Sequence, residues 1–135
     1  MADSISLAGV KVMVIDASNT IRRSAEIFLQ AAGASVILVE DGFDALSRIV
    51  DQEPDVIVVD SETPRLDGYQ TTALIKMHPQ YRSMPVLMLS AKDGLFDRAR
   101  ARLVGADAFI TKPFSKDALL RAVAAHVSAP ARAPS

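Results

Sequence analysis

Residues 55–60, Asp-Val-Ile-Val-Val-Asp, form a short β-branched run that ends in a carboxylate, and a turn-rich loop, Ser61-Glu62-Thr63-Pro64-Arg65-Leu66-Asp67-Gly68, follows at once. A run of this length and composition, bounded by turn formers, reads as a strand. The same design recurs on either side of it. KVMVID (11–16) ends in Asp16, PVLMLS (85–90) ends in Ser90, and AFIT (108–111) runs into Lys112-Pro113. Two carboxylates, a hydroxyl and an amine therefore fall where strands end, which is the edge at which open α/β sheets place their sites.

Between these runs the apolar period changes from strand-like to helical, and the alternation predicts βαβ units with right-handed crossovers on both faces of a parallel sheet. Five units are expected. The first strand spans Lys11 to Asp16, and Ser18 or Asn19 caps a helix whose Ile21, Ala25, Phe28, Leu29 and Ala32 share a face closed by Gly33. Strand two is Ser35 to Val39, and the helix after Asp41-Gly42 is expected to turn Phe43, Leu46, Ile49 and Val50 inward. Strand three, Asp55 to Asp60, leads through the loop to a helix from about Tyr69 to Met77. Strand four is Pro85 to Leu89, and the fourth helix carries Leu95, Ala99 and Leu103 at fourfold spacing before Gly105. Strand five is Ala108 to Ile110, and the last helix runs from Lys116 to about Val127 with Leu119, Ala122, Val123 and His126 inward.

The 135 residues, half of them apolar, suffice for one compact domain. Residues 10–127 are expected to be that domain, with 1–9 a flexible leading segment and 128–135 a disordered Ala/Pro-rich tail. A formal charge of -1 without a basic cluster argues against nucleic acid as the main partner. The absence of cysteine excludes disulfides, thiol catalysis and cysteine-based zinc sites. The start MADSISLAG lacks the basic and apolar regions of a signal peptide, and no apolar run approaches the roughly 20 residues of a membrane span. Cytoplasmic location is the expectation. No G-x-G-x-x-G or Walker loop follows the first strand, so dinucleotide and nucleoside-triphosphate binding are not expected. Arg22 and Arg23 read as a solvated helix face, and His78 and His126 have no partner at metal-ligand spacing.

The runs VIDASNTIRR, DSETPRLDGY, LSAKDG and TKPF, in this order, resemble a response-regulator receiver domain over about residues 10–127. More narrowly, TIRRSAE, DGFDAL, PRLDGYQT, ALIK, KDGLFDRAR and TKPF resemble the stand-alone receivers of the PilG and PilH kind, which serve the chemotaxis-like system behind type IV pilus twitching motility. The resemblance implies a doubly wound, CheY-like (βα)5 fold of the flavodoxin type with strand order 2-1-3-4-5. It implies that Asp60 accepts a phosphoryl group from a histidine kinase or phosphotransfer protein, with Lys112 and Ser90 stabilising the migrating group and Mg²⁺ held by Asp16, Asp60 and the backbone carbonyl of Glu62. It also implies a cis peptide before Pro113 and a switch in which Phe109 follows the Ser90 hydroxyl toward the phosphate. Output would pass to a downstream motility or pilus protein, from a monomer with no conventional enzyme activity beyond self-catalysed phosphoryl acceptance and release.

One departure bears on the chemistry. Receivers usually carry two adjacent acids after the first strand, and Ala17 stands where the second belongs. A hard cation that keeps most of its waters takes few protein ligands, so the loss of one carboxylate predicts weakened or absent Mg²⁺ binding. Glu62 and Lys92 read as a surface ion pair; the sharper alternatives are that Glu62 swings in as the missing carboxylate, or pairs with Lys112 and blocks the pocket. Thr63 stands where an apolar residue is usual and predicts a modest packing change. The competing functions are a phosphorylation-independent pseudoreceiver, an interaction module that keeps the fold without the metal chemistry, and, more distantly, a small flavodoxin-like enzyme or flavin binder.

Overall fold

Successive residues of a strand face opposite sides of a sheet, so each run of four or five apolar residues supplies two cores at once. The computed structural model describes residues 5–127. Its elements are β1 (Lys11–Ile15), α1 (Asn19–Ala31), β2 (Ser35–Val39), α2 (Gly42–Gln52), β3 (Val56–Asp60), α3 (Gly68–Met77), β4 (Val86–Ser90), α4 (Leu95–Leu103), β5 (Ala108–Thr111) and α5 (Lys116–His126). All strand pairings are parallel, and the order is β2-β1-β3-β4-β5.

Val12 and Val14 of β1, Val56 and Val58 of β3 and Leu87 and Leu89 of β4 pack with Ala25 and Leu29 of α1 and Leu119 and Val123 of α5. The alternate residues Met13, Ile15, Ile57, Val59 and Val86 pack with Ala45 and Ile49 of α2 and Ile75 of α3. The layers are thus helix pair, sheet, and the three helices α2, α3 and α4. Phe28 and Phe114 close the first layer edge to face, with ring centroids 6.3 Å apart. Side-chain oxygens of Ser18, Asp41, Asp67 and Ser115 accept the orphan N–H groups at the starts of α1, α2, α3 and α5.

Three expectations change. Residues 5–9 belong to the packed body: Leu7 is fully buried, and its N–H donates to the Ala32 carbonyl at 2.7 Å. The first four residues and the tail 128–135 lie outside the described residues. In α2, Ile49 is buried, but Phe43 and Val50 face solvent, because Gly42, Ala45 and Ile49 define the inward stripe. In α4 the fourfold series points outward: Leu95 and Leu103 are exposed, and Ala101 is the buried residue.

Candidate functional site

Parallel register brings the strand ends to one edge. Asp60 pairs with Leu89, and Ser90 pairs with Thr111, so Asp60, Ser90 and Lys112 end adjacent strands at nearly one height. Asp16 follows β1 directly; its N–H donates to the Val39 carbonyl at 3.0 Å, and its Oδ1 accepts the Ser18 N–H at 2.8 Å. The Lys112–Pro113 peptide is cis. Lys112 Nζ lies 2.9 Å from Asp16 Oδ2 and 2.9 Å from Asp60 Oδ1, bridging two carboxylates that would otherwise repel each other in a largely buried place.

Burial raises the Asp60 carboxyl above its ordinary range, and the Asp16 charge adds to that; Lys112 and the Glu62 backbone N–H oppose it without cancelling it. For Lys112, burial alone would lower the ammonium, but the hydrogen bond to Asp60 and the close negative charges of Asp16 and Asp60 outweigh it, and its pKa is raised. The cation is therefore firmly held as a cation.

Ser90 is fully buried, and its hydroxyl sits in a small network that excludes Asp60. Ser61 Oγ donates to Ser90 Oγ at 2.9 Å, the Lys92 N–H donates to the same oxygen at 3.0 Å, and Ser90 Oγ donates to the Lys92 carbonyl at 3.1 Å. Phe109 is half-buried against Tyr69, Met88 and Ala101, with the Arg98 guanidinium 4.8 Å from its ring centroid. Ser61, Glu62, Thr63, Tyr69, Lys92 and Arg100 line a cleft of about 320 Å³ beside these groups.

Glu62 points out of the site. Its Oε2 is 2.7 Å from Lys92 Nζ, both side chains are exposed, and this hydrogen bond raises the lysine pKa. The surface pair is what forms, whereas Lys112 takes Asp16 and Asp60 as partners. Ala17 is exposed beside Asp16. The Thr63 side chain is buried, and its hydroxyl donates to the Leu66 carbonyl at 2.7 Å, tying the loop.

Two residues gain importance over their sequence reading. Arg22 is folded against the end of β1, where it donates to the Asp16 carbonyl at 2.6 Å, so it is not a solvated charge. Ser61, unremarkable in the sequence, is buried and touches Ser90. Gly68 makes this possible: a Cβ there would collide with the backbone of Asp60 and Ser61, so only glycine lets α3 start this close to β3.

Among the described residues, no three His, Cys, Asp or Glu side chains converge as metal ligands. The two carboxylates still fit a small hard cation, which uses one or two carboxylates and keeps several waters. In particular, the buried Asp16 Oδ2 has an ammonium beside it but no well-formed hydrogen bond.

This edge, with an acid at the end of β3, a hydroxyl at the end of β4 and a lysine after β5, defines a receiver, and the chain belongs to the response regulator receiver domain family, which matches residues 12–124. It is a response regulator close to Protein PilG of Pseudomonas aeruginosa, with 60% identity over 88% of each chain. It is 37% identical to the transcriptional regulatory protein PhoP of Bacillus subtilis over 78% of its own length, spanning 43% of that longer protein. Among solved structures, it matches the chemotaxis protein CheY4 of Vibrio cholerae with a TM-score of 0.84 at 31% identity, covering 89% of this chain and all of that one. The receiver domain of a Pseudomonas aeruginosa sensor histidine kinase matches with a TM-score of 0.81 at 28% identity, covering 88% and 98%, and holds a magnesium ion in its active-site cleft. No described helix is long and apolar enough to cross a membrane.

Proposed function

We propose that this receiver takes a phosphoryl group on Asp60 from a histidine kinase or phosphotransfer protein of a chemotaxis-like system, and that it signals by protein contact to the machinery of type IV pilus twitching motility. The observation that carries this reading is the Lys112 ammonium held 2.9 Å from both Asp16 and Asp60, a fixed cation where phosphoryl transfer accumulates negative charge. Cytoplasmic action is part of the reading.

In the reaction an Asp60 oxygen attacks the phosphorus of a phosphohistidine in line. A P–O bond forms, the P–N bond breaks, and the leaving imidazole nitrogen takes a proton. Little covalent help is needed, so positioning and charge dominate. Lys112 follows the charge onto the phosphoryl oxygens, and Ser90 turns its hydroxyl to donate to one of them. Asp16, Asp60 and the Glu62 carbonyl are the groups that would hold Mg²⁺, whose chemistry is to neutralise the oxygens of the migrating group. Movement of Ser90 releases Phe109 from its half-buried seat beneath Arg98 and alters the face formed by α4, β5 and α5.

The pseudoreceiver is the second reading. Ala17 and the Lys112 bridge favour it, since the two carboxylates already share one counter-charge without a metal. Acetyl phosphate with Mg²⁺, followed by borohydride trapping and peptide mapping, separates the two. Label on Asp60 that is lost in Asp60→Asn supports phosphoryl acceptance. A chain that stays unlabelled, and that still binds its partner equally well as Asp60→Asn, is a pseudoreceiver.

A further inference from the structure

Ser61 sits where the switch hydroxyl can be restrained. A serine hydroxyl has one donor and two acceptor positions. At Ser90 all three are filled: Ser61 Oγ and the Lys92 N–H donate to it, and it donates to the Lys92 carbonyl. No capacity remains for a phosphoryl oxygen on Asp60. To serve that oxygen, Ser90 must give up its bond to the Lys92 carbonyl, and a rotation of its Oγ to do so breaks the present geometry with Ser61.

Ser61 cannot simply follow. Its backbone is pinned on both sides, with its N–H donating to the Leu89 carbonyl at 2.8 Å and its carbonyl accepting the Gly68 N–H at 3.1 Å. Ser61 is 3% exposed and Ser90 is 1% exposed, so water is a poor substitute partner for either hydroxyl. Ser61 also lines the cleft shared with Tyr69, Lys92 and Arg100.

We propose that Ser61 is a positioning residue, a latch that holds the Ser90 hydroxyl in its resting conformation and sets the threshold at which phosphorylation throws the switch. The threshold role rests on Asp60 being the phosphoacceptor. The latch itself is a property of the unphosphorylated chain.

Because one net hydrogen bond is at stake, its removal should change the resting equilibrium by roughly 3- to 10-fold. Two variants separate hydrogen bonding from packing. Ser61→Ala deletes the donor, and Ser61→Cys keeps the volume while replacing it with a weak donor. Side-chain couplings of Ser90 and relaxation dispersion at Phe109, measured on the metal-free and phosphate-free chain, report the latch directly. Both variants should populate a second Ser90 rotamer, with Cys close to Ala. A Cys variant identical to the original chain would make Ser61 a packing residue only. Unchanged rotamers in both variants would overturn the latch altogether.

Titration with beryllofluoride and Mg²⁺ then reads the threshold. Both variants should bind roughly 3- to 10-fold more tightly than the original chain. Equal affinity in all three chains overturns the threshold role. Absence of binding in all three is instead a failure of the phosphoacceptor reading, while the rotamer measurement still decides the latch.

Discussion

Lys112 carries the largest charge burden of any single residue in the site. With it present, two nearby carboxylates, both largely buried, share one ammonium; without it, Asp16 and Asp60 face each other with no counter-charge. Lys112→Ala should therefore destabilise the metal-free chain at pH 7 by about 2 kcal/mol, somewhat below the cost of breaking a fully buried pair because the lysine keeps some exposure. The pH dependence has a definite sign. The raised Lys112 pKa means that its pairing stabilises the fold below 10.5 and that this contribution is lost as pH rises through the folded value. Asp60 is also raised in the fold, so its contribution is fully present below 3.8 and is lost as pH rises through its folded value. In Lys112→Ala that second slope should steepen, and the variant should recover stability toward pH 4 in urea titrations. A flat profile would show that the carboxylates do not interact. Asp16, Asp60, Ser90 and Lys112 were legible in the sequence because each ends or follows an apolar run. Arg22 and Ser61 were not, since one is defined by folding back on β1 and the other by a neighbour 29 residues away.

At the scale of elements, α4 is the helix whose sequence and structure disagree most usefully. Periodicity tells which residues share a face, but it does not tell which face meets the sheet. In α4 small Ala101 faces inward, while Leu95, Phe96 and Leu103 are 78%, 84% and 85% exposed. Arg98, Arg100 and Arg102 are interleaved with them; Arg98 stacks on Phe109 and Arg100 on Tyr69. An apolar ridge edged with guanidinium groups suits an acidic, apolar segment of the output partner. Phe96→Ser and Leu103→Ser should each change stability by no more than about 0.5 kcal/mol, because almost nothing packs on these side chains. The same changes should weaken binding of the output partner at least tenfold if one of them is a hot spot. Denaturant melts and partner titrations test the two halves separately. A large stability loss would mean that the ridge belongs to the fold, whereas undiminished binding would place the output elsewhere. The amides of α4 should also exchange fastest among the five helices, given its single buried residue.

For the whole molecule, alternation of β-branched runs with helical stretches was enough to reveal five βα units, but strand order is not a property of any one run. It entered through the family resemblance, and the observed register explains why it matters. The order 2-1-3-4-5 sets β1, β3 and β4 side by side with β5 next, so that Asp16, Asp60, Ser90 and Lys112 meet at one edge. The same meeting makes the stability of the entire chain answer to the charge count there. The present count is two carboxylates against one ammonium, and Ala17→Asp adds a third carboxylate. Without metal, that variant should melt below the original chain, since like charges crowd a partly desolvated place. With Mg²⁺ at about 100 times its dissociation constant, binding should return about 2.7 kcal/mol, a rise of roughly 10 °C for a domain of this size. The original chain should respond far less, because it lacks the third carboxylate and Lys112 already offsets one of its two negative charges. Thermal melts with and without Mg²⁺, repeated on Glu62→Gln, decide the matter. An equal Mg²⁺ shift in the original chain, abolished by Glu62→Gln, would mean that Glu62 leaves Lys92 to serve as the missing ligand. An equal shift that survives Glu62→Gln would mean that Asp16 and Asp60 suffice, and that Ala17 does not limit metal binding.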